Sequence, residues 1–445
     1  MTAITLLALA ACGPRQPVHQ VELRPPDEAS IFGFDLAGVG DVDGDGFGDV
    51  VISNLGLNDS AGEVYVFCGA KEGLDMGRVR RLRPSDSREG QHFGSSVSGA
   101  GDVDGDGYAD VIVGSHVDAA YLFYGGASGL GREQILSPIG DSPDNGVGQV
   151  VTGVGDLDGD GFDDVVLSSF GEAVDGVEVA GAAYVLYGGA DGVDPSRVQR
   201  LHAREPVQGS TFGWAMAGVG DVDADGFEDL AIGAPFSTDP RVSGRVYLFR
   251  GGPGGVAPDR VQTLQVDDPR RTFYLGASLS GAGDLNGDGY ADIVIGVASR
   301  PGSDAAWVFL GGPDGIDYDR ILQVDPPWPM AEEAAFAEDV AGAGDVDGDG
   351  YDDLLIGATY DTVDGLQAGS ATWIPGAPEG LDVARAVRLA PAHLNDGAMF
   401  GAHVASAGDL RGTGTADVLV GAPLHHHGTS WRGAVLVYEG GRADR

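Results

Sequence analysis

Six segments of this chain set oxygen-bearing side chains at alternate positions around an invariant glycine, in the order Asp-x-Asp/Asn-x-Asp-Gly-x-x-Asp. They start at Asp41, Asp102, Asp156, Asp221, Asp284 and Asp345. Calcium is a hard cation that takes six to eight oxygens at about 2.3–2.6 Å, and such a loop supplies them economically. The side-chain donors are Asp41, Asp43, Asp45 and Asp49; Asp102, Asp104, Asp106 and Asp110; Asp156, Asp158, Asp160 and Asp164; Asp221, Asp223, Asp225 and Asp229; Asp284, Asn286, Asp288 and Asp292; and Asp345, Asp347, Asp349 and Asp353. The seventh position adds a backbone carbonyl from Phe47, Tyr108, Phe162, Phe227, Tyr290 or Tyr351, whose rings are expected to point into the blade. Glycine at position 6 lets the chain turn with positive φ. Magnesium fits less well, because it prefers a small octahedral shell that keeps several waters.

Asp and Gly also make ordinary turns. One copy would be ambiguous between turn and metal loop, but six copies in phase argue for the metal. The copies differ. Asn286 gives the fifth one charge fewer and a weaker site. A seventh, starting at Asp409, puts Arg411 and Thr413 where oxygens are required. The expectation is six Ca²⁺, with none at the seventh copy, where the Arg411 guanidinium stands in as the local cation. An EF-hand would need Glu at position 12 and flanking helices. Position 12 is Ile52, Val113 or Ile232, inside a β pattern, which favours a strand–loop–strand site.

The elements that hold these loops repeat with them. The first Asp recurs every 54 to 65 residues, the mark of one supersecondary unit used repeatedly. An apolar strand leads into each loop and a second leaves it, as in Phe212–Gly220 and Leu230–Pro235. A third is aromatic and alternating: 64–67, 120–124, 183–187, 246–249, 306–309, 371–374 and 434–438. A fourth follows a Gly-rich turn at 79–82, 133–136, 198–201, 261–264, 320–324 and 386–389. Four short strands per unit, repeated radially, predict an all-β, seven-bladed propeller. The seventh unit stops after its third strand at Tyr438, while an orphan strand at 18–23 has the pattern of a fourth. The N-terminal strand is therefore expected to complete blade seven and close the ring, removing sheet edges.

Composition narrows the function. The 445 residues carry a formal charge of −42, which disfavours nucleic acid as a partner, since phosphate binding needs clustered Lys and Arg. Of 68 acidic residues, 26 lie in the six intact loops, a density that calls for cations. The two cysteines, Cys12 and Cys68, sit in unlike settings and do not read as a disulfide framework; Cys68 reads as a small buried hydrophobe in the third strand. The apolar run 4–11 is too short to span a bilayer. The stretch Leu9-Ala10-Ala11-Cys12 resembles the cleavage box of a bacterial lipoprotein signal peptide, which implies a signal at 1–11, lipid on Cys12, a tether at 12–17 and membrane anchoring in the cell envelope. The propeller would then span 18–441, with a tail at 442–445.

The repeats are similar to the FG-GAP repeat proteins, whose best-known members are the integrin α-subunits. "FG" stands at Phe32-Gly33, Phe93-Gly94, Phe212-Gly213 and Phe400-Gly401, and altered at Val147-Gly148, Leu275-Gly276 and Phe336-Ala337, in every copy nine residues before the first Asp. "GAP" stands at Gly233-Ala234-Pro235 and Gly421-Ala422-Pro423, loosely at Gly296-Val297-Ala298 and Gly357-Ala358-Thr359, and is lost at Ser53-Asn54 and Ser168-Ser169. The leading expectation is a monomeric, non-catalytic adhesion module, and the resemblance implies that its protein or glycan ligand binds on the face opposite the Asp loops.

Long connections at 170–180, 236–243, 325–333, 360–368 and 424–432 would lie on that opposite face, with Trp328 and Trp431 as the aromatics of interest. A lectin is the alternative, although no constant aromatic and polar set recurs in each blade to mark repeated sugar sites. A hydrolase with a central-funnel site is weaker still: there is no Gly-x-Ser-x-Gly elbow, His-Glu-x-x-His or P-loop, and His425-His426-His427 reads as a surface loop without a matched carboxylate.

Overall fold

The computed structural model describes residues 8–9, 20–25, 31–56, 61–116, 119–136, 145–236, 244–266, 274–297, 305–331, 333–427 and 430–441. The proposed signal peptide and tether, with Cys12, fall outside these residues except for Ala8–Leu9.

Seven four-stranded antiparallel blades form the molecule. Blade one is Phe32–Gly40, Asp49–Asn54, Glu63–Phe67 and Arg80–Leu82, from the innermost strand outward. Blade seven takes Val404–Gly408, Asp417–Ala422 and Ala434–Tyr438 from the C-terminal end. Its fourth strand is Gln20–Leu23, paired Gln20 to Tyr438 and Leu23 to Val435. The ring thus closes by joining the two ends of the chain, as the orphan strand predicted. Ala8–Leu9 adds a two-residue strand outside it. Consecutive inner strands pack side by side around the ring, and Val404–Gly408 returns to Phe32–Gly40.

The second and third strands of every blade are buried over almost their full length, which fits their continuous apolar runs. Outer strands are short, three or four residues, and several carry exposed charged side chains such as Arg80, Arg81 and Arg200, which protects these edges from pairing with other chains.

The two motifs keep phase because they touch. The FG phenylalanine is fully buried between blades: Phe212 packs edge-on against Phe249 (6.0 Å between ring centroids) and lies 5.4 Å from Tyr247, in a cluster shared with Val154, Leu157 and Val166 of blade three. The FG glycine has positive φ, +87° at Gly276, and faces the GAP glycine of the preceding blade. A Cβ on Gly233 would come 2.1 Å from the Gly276 carbonyl, so neither backbone leaves room for a side chain. Where the GAP glycine becomes Ser53 or Ser168, the facing residue is still a glycine, Gly94 or Gly213. Blade six alone puts a non-glycine, Ala337, at the positive-φ position (φ 65°).

Each inner strand carries a register shift just before its Asp loop, between Gly38 and Gly40 in blade one and between Ser406 and Gly408 in blade seven. Such a bulge bends the strand and re-aims the chain. It turns all seven loops onto one end of the blades.

Candidate metal loops and the opposite face

The loops are built around their first and last aspartates. In blade one, Asp41 accepts from the N–H groups of Gly44 (2.6 Å), Asp45 (3.1 Å) and Gly46 (2.7 Å), which winds the segment around its own carboxylate. Asp156 and Asp345 do the same in blades three and six. Asp49 is fully buried and bridges two elements: Oδ2 accepts from Val42 N (3.0 Å) and Oδ1 from Gly69 N (2.8 Å), beyond the third strand. Asp110, Asp164, Asp229, Asp292, Asp353 and Asp417 repeat this bridge. The ninth position is therefore a structural tie as well as a candidate ligand.

Burial, aided by the neighbouring loop carboxylates, pushes Asp49 up to about 6, Asp110, Asp229, Asp292 and Asp353 to about 7, and Asp164 to about 8. The two N–H donors to each act the other way and are outweighed. Five loops bring three carboxylate oxygens within 4.8 Å of one another: Asp41, Asp43 and Asp45; Asp102, Asp104 and Asp110; Asp156, Asp158 and Asp164; Asp221, Asp223 and Asp225; Asp345, Asp347 and Asp353. The third-position Oδ1 atoms of Asp43, Asp104, Asp223 and Asp347 are buried and accept no hydrogen bond. A buried oxygen without a donor is costly, and a bound cation would satisfy it. In blade five Asn286 spends its Oδ1 on Asp288 N (2.9 Å) and its Nδ2 on Asp288 Oδ2 (3.0 Å).

The rings at position 7 do not point into their own blade. The half-buried rings of Phe47, Tyr108, Phe162, Phe227 and Tyr351 lie across the fourth position of the preceding loop: a Cβ on Gly44 would come 2.5 Å from Tyr108, on Gly105 2.6 Å from Phe162, and on Gly159 2.5 Å from Phe227. The loops also join by backbone. The N–H of position 8 donates to the carbonyl of the preceding loop's first residue in all seven cases, from Ala109 to Asp41 (3.0 Å) around to Gly48 and Asp409 (3.0 Å). The seven loops form one hydrogen-bonded collar.

Sequence reasoning missed a set of arginines. Arg78 reaches Asp43 (2.8 Å) and Asp45 (2.6 Å). Arg132 reaches Asp104 (2.8 Å), Arg197 pairs with Asp158 and Asp160, Arg260 stands 3.8 Å from Asp225, Arg320 lies 3.2 Å from Asp288, and Arg385 pairs with Asp347 and Asp349. All six stand four residues before the Leu or Val that ends the fourth strand, a phase visible in the sequence once the strands are aligned. Counting back four from Leu23 in blade seven gives His19. There the cation is internal: Arg411 binds Asp417 (2.9 Å) and the Gly440 carbonyl (2.6 Å), beside Glu439. Asp409 still accepts from Thr413 N and Gly414 N, so this loop keeps its turn without the acids.

The FG-GAP repeat family matches residues 93–129, 212–249, 275–309 and 336–374, which are four of these blades. The chain is an integrin-α-like FG-GAP β-propeller. It is 32% identical to integrin alpha-5 of Xenopus laevis over 265 residues, 58% of this chain and 24% of that protein. It is 35% identical to human integrin alpha-IIb over 179 residues, 38% and 17% of the two chains, and 35% identical to integrin alpha-PS2 of Drosophila melanogaster over 168 residues, 34% and 12%. The matches thus span about a quarter or less of these relatives.

The opposite end of the propeller carries the connections from strand two to three and from blade to blade. Phe170, Trp214, Phe236 and Tyr274 lie there in an edge-to-face row across blades three to five, with centroid spacings of 5.5, 4.9 and 5.1 Å. Trp214 is 39% exposed, so it, rather than Trp328, is the open indole at this end. Trp328 is half-buried with the Arg388 guanidinium over its ring at 5.5 Å, and the side chain of Trp431 lies outside the described residues. The surface-loop reading of the histidine run fails at its first member: His425 is buried, 3% exposed. Cys68 is buried and free, and burial pushes its thiol up to about 12. Among the described residues no helix is long and apolar enough to cross a membrane.

Proposed function

We propose that this propeller is a calcium-stabilised, non-catalytic adhesion module of the cell envelope that binds a protein on the face opposite its Asp loops. The unpartnered buried Oδ1 atoms of Asp43, Asp104, Asp223 and Asp347 carry the metal half of this reading, because they aim hard oxygens into loops already crowded with carboxylates. Calcium suits the donor set better than a softer metal, since every donor is oxygen. Six ions are expected, none in blade seven. Each ion that binds only the folded chain adds about 2.7 kcal/mol of stability when free calcium is 100 times its Kd. Chelation with EDTA should therefore lower the melting temperature by about ten degrees or more. Native mass spectrometry should count six ions; an unchanged melt and a count of zero would refute the calcium reading.

The ligand face is supported by the exposed aromatic row around Trp214, on connections held by a rigid scaffold. The same row favours a carbohydrate as the second reading, because rings stack on apolar sugar faces. A glycan array separates the two. In either case Trp214→Ala should weaken ligand capture with the melting temperature unchanged. Lipidation of Cys12 would anchor the module, since acyl chains contribute about 0.8 kcal/mol per buried methylene. Cys12→Ser should move the protein from the membrane to the soluble fraction; continued sedimentation with lipid would refute the anchor.

A further inference from the structure

Blade four differs from the other intact blades at the residue that follows the third strand. That residue precedes the glycine bonded to the ninth-position aspartate, and it is Cys68, Tyr124, Tyr187, Leu310 and Pro375 in blades one, two, three, five and six. None of these is charged. In blade four it is Arg250. Its side chain is 8% exposed and its Nη1 contacts Asp223, the third-position carboxylate, itself 10% exposed. Nη2 donates to the Asp314 carbonyl of blade five (3.2 Å). The second cation of this loop, Arg260, holds Asp225 from outside. The pair borders a polar cleft of about 450 Å³ that also reaches Gln262 and Asp314. Among the described residues the other intact loops show one arginine each.

We propose that Arg250 is a built-in competitor for the blade-four metal, which makes this loop the last of the six to fill. A guanidinium does not deprotonate, so it cannot yield its place by losing charge. It shares Asp223 with any cation bound in the loop. The ion must either pull that carboxylate from a buried partner or sit beside a fixed positive charge in a medium that screens weakly, and both outcomes weaken binding. In blade one the corresponding Cys68 imposes neither cost.

The inference rests on the calcium reading and is tested on the full chain by equilibrium dialysis against buffered free calcium, with bound ions counted by mass spectrometry. The wild type should take up its last ion at about tenfold higher free calcium than the others. Arg250→Gln should bring that step down to join the rest, while Arg250→Lys, which keeps the charge, should retain it. Asp223→Asn, a variant that leaves Arg250 in place, should remove the late step alone. A single uptake step in the wild type, a late step that Arg250→Gln leaves unmoved, or loss of an early ion in Asp223→Asn would overturn the proposal. Absence of bound calcium at every concentration would overturn the calcium reading itself, and this inference with it.

Discussion

At the ninth position of each loop a carboxylate is asked to do two things. Asp49 and its equivalents tie the loop to the end of the third strand through two backbone N–H groups, yet in the six intact loops burial among other acids raises their pKa to between about 6 and about 8. An acid whose folded pKa exceeds its unfolded value of about 3.9 contributes stability that is present at low pH and lost as pH rises through the folded pKa. In chelator, the protein should therefore melt higher at pH 6 than at pH 8. Calcium needs the charged form, so saturating calcium should shrink or reverse that difference; melting curves at the two pH values, with and without the ion, check both signs. A metal-free melt that rises from pH 6 to pH 8 would contradict the assignment. The clustering of loop carboxylates was legible from their alternation around glycine. The arginines over positions 3 and 5 were not, because the residues that meet there lie 28 to 39 positions apart in blades one, two, three and six.

The strands were the most legible level. Alternating aromatic third strands and short polar fourth strands fall within one or two residues of where the pattern put them: 133–136, 198–201 and 261–264 match at both ends. This follows from burial, since an all-buried strand must be apolar throughout and an edge strand must not be. The register shifts before the loops had no sequence signal beyond Gly-x-Gly, a pattern that many turns share. Packing between blades depends on the FG phenylalanine. Phe212→Ala should cost about 3–5 kcal/mol by opening a cavity between blades three and four, measured by chemical denaturation. Val147, which holds the same place in blade three, should cost less on truncation because it is smaller. A loss under about 1 kcal/mol for Phe212→Ala would mean that this contact does not hold the blades together.

For the whole molecule, closure is the decisive feature. Gln20–Leu23 forms the outer strand of a blade whose other three strands come from the far end of the chain. Deleting residues through Arg24 leaves Ala434–Tyr438 as an open edge and parts the two termini. Edges of that kind recruit other chains. The truncated protein should lose most of its melting stability or elute as oligomers in size-exclusion chromatography, whereas a monomer with an unchanged melt would show that the ring does not need its N-terminal strand. Closure also completes the collar of loops, since the bond from Gly48 to Asp409 joins blade one to blade seven.

The sequence alone determined the strand order, the number of blades, the closing strand and the spacing of carboxylates in the acidic loops. Each of these is local or periodic, written in spacing and residue type. Tertiary structure decided what lies between repeats: position-7 rings resting on the neighbouring loop, glycines of FG and GAP in backbone contact, the buried His425, and the aromatic row from Phe170 to Tyr274. A repeat period says that units are alike. How two like units meet depends on their twist and spacing around the ring, and those are set only when all seven blades pack together.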